Sequence, residues 1–147
     1  MRTCGPCTAC CTALAVLDAT LKKARFAPCR HLAAGCGCGI YDQRPKSCAD
    51  FACDWLRGTW GGEDDRPDLS GVIVEAGRPD SVALAAAPGH TIDDHGPRTA
   101  EALFVAQGRA VQAWDPHRMR LTIDGAAREF AVVCVDVDGI LLAHVAT

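Results

Sequence analysis

Aromatic side chains are scarce in this chain: three Trp, one Tyr and four Phe among 147 residues. The core is therefore expected to consist mostly of Val, Leu and Ala. Long apolar runs are missing too, so no segment has the length of a membrane-spanning helix. Met1 is followed by one arginine and then by cysteines, with no apolar stretch of the secretory kind. Neither sign of charge dominates, since 15 Lys and Arg stand against 18 Asp and Glu. That mild acidity argues against non-specific nucleic-acid binding. GxSxG, P-loop, Rossmann and HExxH motifs are all absent. No nucleophile with a neighbouring base can be named, and the catalytic residues, if any, are unknown. There is no internal repeat and no low-complexity segment. What these absences leave is a cytosolic, bacterial-type protein of ordinary domain size, large enough to bury a core without disulfides.

What the chain has in abundance is cysteine. There are ten, and nine fall within residues 1–53; the tenth, Cys134, lies in the apolar run VVCVDV and reads as a core residue. In a reducing compartment such a cluster points to metal or catalysis before disulfides. Residues 1–58 hold eight basic and four acidic side chains, a balance of +4, whereas residues 59–147 balance at −7. Four thiolates around Zn²⁺ carry about −2, as does a four-thiolate iron–sulfur cubane. Two such sites would bring the first part to about 0. The basic excess thus has an internal use, although a solvated basic surface explains it equally well.

The opening run MRTCGPCTACC raises three readings: redox dithiol, disulfide framework or metal site. A thioredoxin-type dithiol needs a strand leading into the CxxC and a helix N-terminus on its first thiol. Only three residues precede Cys4, and two further cysteines follow at once, so metal ligation explains the spacing better. A CxxC turn can hold two sulfurs on one metal at about 2.3 Å. Cys10 and Cys11 are adjacent, and neighbouring side chains point apart, so each is expected to serve a different site. Cys29, Cys36, Cys38, Cys48 and Cys53 follow. With one of them set aside, eight remain, which is two sets of four.

The pattern resembles the CxxCxxCC cysteine-cluster family, called YkgJ-like and described as a zinc- or iron-chelating domain. The residues that carry the resemblance are Cys4-Gly-Pro-Cys7-Thr-Ala-Cys10-Cys11, then Pro28-Cys29, then Gly37-Cys38-Gly-Ile-Tyr41-Asp-Gln-Arg44-Pro45-Lys-Ser-Cys48-Ala-Asp-Phe51-Ala-Cys53-Asp-Trp55-Leu. It is specific over residues 4–56 and continues more weakly through DDRPDLSGVIV. It implies Cys4, Cys7, Cys10, Cys11, Cys29, Cys38, Cys48 and Cys53 as metal ligands, with Cys36 at a variable position. It implies no substrate. Members are commonly labelled iron–sulfur oxidoreductases or metal chelators, and a related motif occurs in flagellin lysine methylases.

Zinc is the preferred metal, at about two per chain. Separations of eighteen residues from Cys11 to Cys29 and ten from Cys38 to Cys48 suit zinc knuckles. The proline that usually follows the distal ferredoxin cysteine is absent, Ala49 standing after Cys48. A [4Fe-4S] cluster with a redox or accessory-enzyme role is the alternative, and a modification enzyme a weaker third. His31 is a candidate to replace a cysteine. Arg44 and Pro45 read as support for the thiolates or as a plain surface turn. The loop GHTIDDHG, with His90, Asp93, Asp94 and His95, reads first as solvated and second as an acid–base or hard-metal cluster. An unidentified protein partner is allowed for; nucleic acid and membrane are not.

The fold expected is α+β: a loop-rich cysteine module over residues 1–58, packed on a small antiparallel sheet with one or two helices over residues 59–147, the two forming one compact unit. GVIVEAG and SVALAAAP read as strands joined at GRPD, RMRLTID as a half-buried strand, and EFAVVCVDV and ILLAHVA as strands joined at Asp138-Gly139. PRTAEALFVAQGRA reads as a helix starting near Pro97. Residues 12–26 are ambiguous between helix and strand, and Ser47 is a candidate helix cap.

Overall fold

The computed structural model describes residues 1–35, 37–137 and 140–145, the strand residues from 133 onward by their backbone. Cys36 and the Asp138-Gly139 turn lie outside the described residues, as does the side chain of Cys134.

The cysteine-rich part is made of short pieces. α1 (Ala9–Ala13) is followed by the two-residue strands β1 (Val16–Leu17) and β2 (Lys22–Lys23), which pair antiparallel. The ambiguous stretch 12–26 thus ends α1 and becomes a hairpin, and Leu14, Leu17 and Leu21, although spaced as on a helix face, share no helix. A second small hairpin joins β3 (Leu32–Ala33) and β4 (Gly37–Cys38). α2 (Lys46–Asp50) and α3 (Asp54–Arg57) close the segment. Pro45, not Ser47, occupies the N-cap position of α2, without a side-chain cap bond, and the Ser47 hydroxyl donates to Asp18 instead.

After α4 (Pro67–Ser70) the chain builds one six-stranded sheet. Its strands are β5 (Val72–Glu75), β6 (Ser81–Ala86), β7 (Ala110–Trp114), β8 (Arg118–Ile123), β9 (Ala126–Val137) and β10 (Ile140–Val145), neighbours in sequence order. Helix α5 (His95–Ala106) connects β6 to β7. The sheet is mixed rather than antiparallel, because β6 and β7 run parallel. A parallel pair needs a crossover rather than a hairpin, and α5 supplies it. The sequence predicts no strand at β7: the helix expected from Pro97 ends at Ala110, and residues 111–117 are assigned no element. Gly108, at φ +75°, turns the chain out of α5 and into the strand. Asp124 and Gly125, both at positive φ, make the two-residue turn from β8 to β9.

Both faces of β5 and β6 are buried. Val72, Val74, Val82 and Leu84 face α5, packing with Ala100, Phe104, Val111, Ala113 and Ile92. Ile73 and Ala85 face the other way, onto Ala9, Ala13, Leu14, Cys53 and Trp55. Strand alternation thus sorts one sheet into two contacts: a helix on one side and the cysteine-rich segment on the other. Asp54 locks the second contact, its carboxylate accepting the backbone N–H of Ala76 just past β5. Among the described residues no helix is long and apolar enough to cross a membrane.

Candidate metal centre

The eight cysteines expected as ligands are free thiols. They fall into two sets. α1 begins the division: Cys10 and Cys11 are consecutive on it, about 100° apart around the axis. Cys10 turns toward the sheet and lies in the electrostatic reach of Cys53, Cys7 and Cys4. Cys11 turns away and lies in the reach of Cys38, Cys29 and Cys48. Among the described residues, no group of three or more His, Cys, Asp or Glu side chains stands close enough to hold an ion as it is; the thiols are gathered, not clamped.

The Cys10 set is assembled by backbone geometry. A turn bond from Cys7 N–H to the Cys4 carbonyl shapes the CxxC, at 2.9 Å. The Cys7 sulfur accepts backbone N–H groups from Ala9 and Asp68, and its thiol donates to the Asp68 carboxylate; burial nonetheless pushes the Cys7 thiol up. Cys53 stands at the start of α3 and accepts backbone N–H groups from Trp55 and Leu56. Cys10 and Cys53 are neighbours whose ionisations are linked: the contact with Cys10 holds the Cys53 thiol below the ordinary value, while Cys53 and burial push Cys10 well above it. Burial, then the nearness of Cys53, raises Cys4. Arg2 clasps this set from outside: its guanidinium donates to the carbonyls of Trp55 at 2.7 Å, Trp60 at 2.9 Å and Gly61 at 2.6 Å, and lies over the Trp55 ring.

The Cys11 set is assembled by hairpins. Cys29 N–H donates to the Cys11 carbonyl at 2.9 Å, and Leu32 N–H to the Cys29 carbonyl at 3.1 Å. His31 N–H points at the Cys29 sulfur, 3.5 Å away. Leu32 pairs with Cys38 across the β3–β4 ladder. Cys48 N–H donates to the Pro45 carbonyl in the first turn of α2. Burial, then Cys38, Cys29 and Cys48, push Cys11 up to about 11. Burial also raises Cys48.

The charges that offset these sulfurs are only partly those the sequence suggested. Arg44 does act on a thiol, that of Cys4; it also stacks 3.9 Å from the Tyr41 ring centroid and donates to the Tyr41 carbonyl. A cation that acts on the Cys11 set is Lys23. It is 6% exposed, and its ammonium donates to the carbonyls of Thr12, Ala24 and Ala27. Burial lowers it to about 8, against the pull of Cys29 and Cys11. Sequence reasoning missed Lys23, Arg2 and Asp68 alike, because nothing in a local pattern tells which charges the fold will bring to the cysteine-bearing segments; of the three only Lys23 is buried. His31 offers its backbone rather than its ring to Cys29; the ring bonds Arg30.

The carboxylates of the GHTIDDHG loop are bonded to neighbouring side chains. Asp93 pairs with Arg118 at 2.7 Å, Arg120 at 2.6 Å and Arg98 at 3.0 Å. Asp94 holds Thr91 and His90. Arg120 is 1% exposed and reaches Glu101 at 3.1 Å, while Thr122 donates to the same carboxylate at 2.6 Å. This network pins α5 to β8.

The donor set fits a thiophilic ion: four soft sulfurs in each set, several met by backbone N–H groups that favour the thiolate. Compared with family models, curated proteins and solved structures, the chain matches none; the resemblance carried by its cysteine motifs rests on those motifs.

Proposed function

We propose that this protein binds two metal ions, zinc by preference, one through Cys4, Cys7, Cys10 and Cys53 and one through Cys11, Cys29, Cys38 and Cys48, in a structural, interaction or metal-handling role. The observation that carries the reading is the split at Cys10 and Cys11: adjacent thiols on α1 have disjoint sets of cysteine neighbours. Bound zinc would cross-link segments far apart in sequence and so supply folding energy directly. For the Cys10 set these are α1, α3 and the chain's first turn, all lying against β5 and β6. Backbone N–H groups at Cys7 and Cys53, the Arg44 charge near Cys4 and the Lys23 charge near Cys11 favour the thiolates, against the burial that raises most of these thiols. The membership in the YkgJ-like cysteine-cluster family, a cytoplasmic location and an unidentified protein partner belong to the same proposal. We claim no catalysis.

A [4Fe-4S] cluster in the Cys10 set is the second reading, favoured by one observation. Cys7, Cys10 and Cys53 pack with Trp55, Ile73 and Ala85, an apolar shell of the kind that shields a cluster from water. Elemental analysis with a visible spectrum, on protein purified without oxygen, separates the two. About two zinc per chain and no colour support the first. Iron with acid-labile sulfide and absorption near about 400 nm that bleaches on reduction supports the second. Metal-free protein with reactive thiols overturns both.

A further inference from the structure

We infer that the two thiol sets differ in lability: the Cys10 set is a closed structural site, and the Cys11 set is the exchangeable one, from which zinc passes to a competing thiol or chelating ligand. The inference rests on the two-metal reading above and assigns different roles to its halves. Three of the four cysteines of the first set belong to the core. Cys53 is 5% exposed, and Cys7 and Cys10 pack on the same cluster as Ala9, Ala13, Leu14, Trp55 and Ile73. Opening that set means lifting α1 and α3 off the sheet, breaking the Arg2 clasp and baring Ile73. Such an opening approaches the cost of global unfolding.

None of the Cys11 set belongs to either core cluster. Its cysteines ride on a two-residue ladder and on the exposed helix α2, where Lys46, Ser47, Ala49 and Asp50 all face solvent. Pro28 and Arg30 flank Cys29 and are exposed, as is Gly39 beside Cys38. The Cys11 end is different: α1 is fixed to the sheet, and Lys23 is anchored by three carbonyls beside it. The set thus has one rigid ligand and three on short, frayable supports. An incoming ligand can reach those three sulfurs one at a time, each replacement costing only local opening. That is the arrangement an ion-transfer site needs: one sulfur keeps its geometry while the others exchange.

The test uses the zinc-loaded full chain. An excess of a chromogenic chelator is added, samples are quenched with a thiol-alkylating reagent over time, and modified cysteines are located by peptide mass spectrometry. Two release phases are expected, separated by at least about tenfold in rate. Cys29, Cys38 and Cys48 should be alkylated in the first phase, and Cys4, Cys7 and Cys53 only in the second. A single phase, or first modification of Cys4, Cys7 and Cys53, overturns the inference while leaving the two-zinc reading intact. A chain that carries no zinc before the chelator is added overturns both. No substitution is needed, so misfolding of a variant cannot obscure the result.

Discussion

Replacing Arg2 by alanine tests whether the first residues are held onto the sheet-bound part of the chain by one side chain. The guanidinium bonds three carbonyls, those of Trp55 and Trp60 being partly buried and that of Gly61 exposed. Taking about 1 kcal/mol for each of the two partly buried bonds and about 0.5 kcal/mol for the exposed one gives about 2.5 kcal/mol. The guanidinium also lies 5.2 Å from the Trp55 ring centroid, which adds about 0.5 kcal/mol. Releasing a long side chain returns about 1 kcal/mol of rotamer entropy. The Glu63 carboxylate, 3.7 Å away and 85% exposed, adds nothing measurable. The net is about 2 kcal/mol, or roughly 30-fold in an equilibrium constant. Arg2→Ala should therefore weaken zinc retention at the Cys10 set by roughly 30-fold in a chelator titration. The Cys11 set should be unaffected, and Tm should fall by about 4–8 °C. Arg2→Lys should recover less than half of the loss, since a single ammonium cannot fork to three carbonyls. Unchanged retention and unchanged Tm in Arg2→Ala would refute the clasp.

Ile73, at 0% exposure, is one of the sheet residues packed on the cysteine-rich segment; Ile73→Ala should cost about 3 kcal/mol in urea unfolding and speed metal release from the Cys10 set. An unchanged release rate would mean that the sheet does not brace that site. Glu101→Ala leaves Arg120 buried without its nearest buried carboxylate, so unfolding should be easier by about 3 kcal/mol. Asp93 and Glu129 still reach Arg120, and a loss below about 1 kcal/mol would mean that they suffice. Burial holds the Glu75 carboxyl above its ordinary value, so between the unfolded and folded values the native state binds the proton that the unfolded chain has released. Its contribution is complete below the ordinary glutamate range and is lost as pH rises through the folded value. Glu75→Gln should accordingly be more stable than the parent at neutral pH, by a margin that shrinks on acidification; a variant less stable at neutral pH would reverse that assignment.

Much of the sheet was legible because its signals are local. GVIVEAG and SVALAAAP are β-rich runs with a turn between them, and they became β5 and β6. Pro97 and the apolar spacing after it announced α5, which begins two residues earlier, at His95. What was misread depended on distant partners. AVQAW is five residues long and follows a helix without an obvious break; only its pairing with β6 makes it a strand and the sheet mixed. The stretch 12–26 carries helical leucine spacing, yet Cys29 bonds the Cys11 carbonyl and Phe26 the Ala13 carbonyl, and those bonds draw the chain back as a hairpin.

The same boundary runs through the candidate site. Sequence alone determined where the thiols stand along the chain and that adjacent cysteines must diverge, because side-chain chemistry and helix geometry are local properties. It also determined the basic balance that thiolates would offset. Which thiols meet was decided by tertiary structure: Cys53 joins Cys10 across forty-odd residues because both are pressed onto Ile73 and Ala85. So was the choice of supporting charges. Lys23 reads as half of an ordinary Lys-Lys pair until the β1–β2 hairpin buries it among carbonyls beside Cys11. Burial and Coulomb energy depend on distance in space, and that distance exists only once the chain has folded.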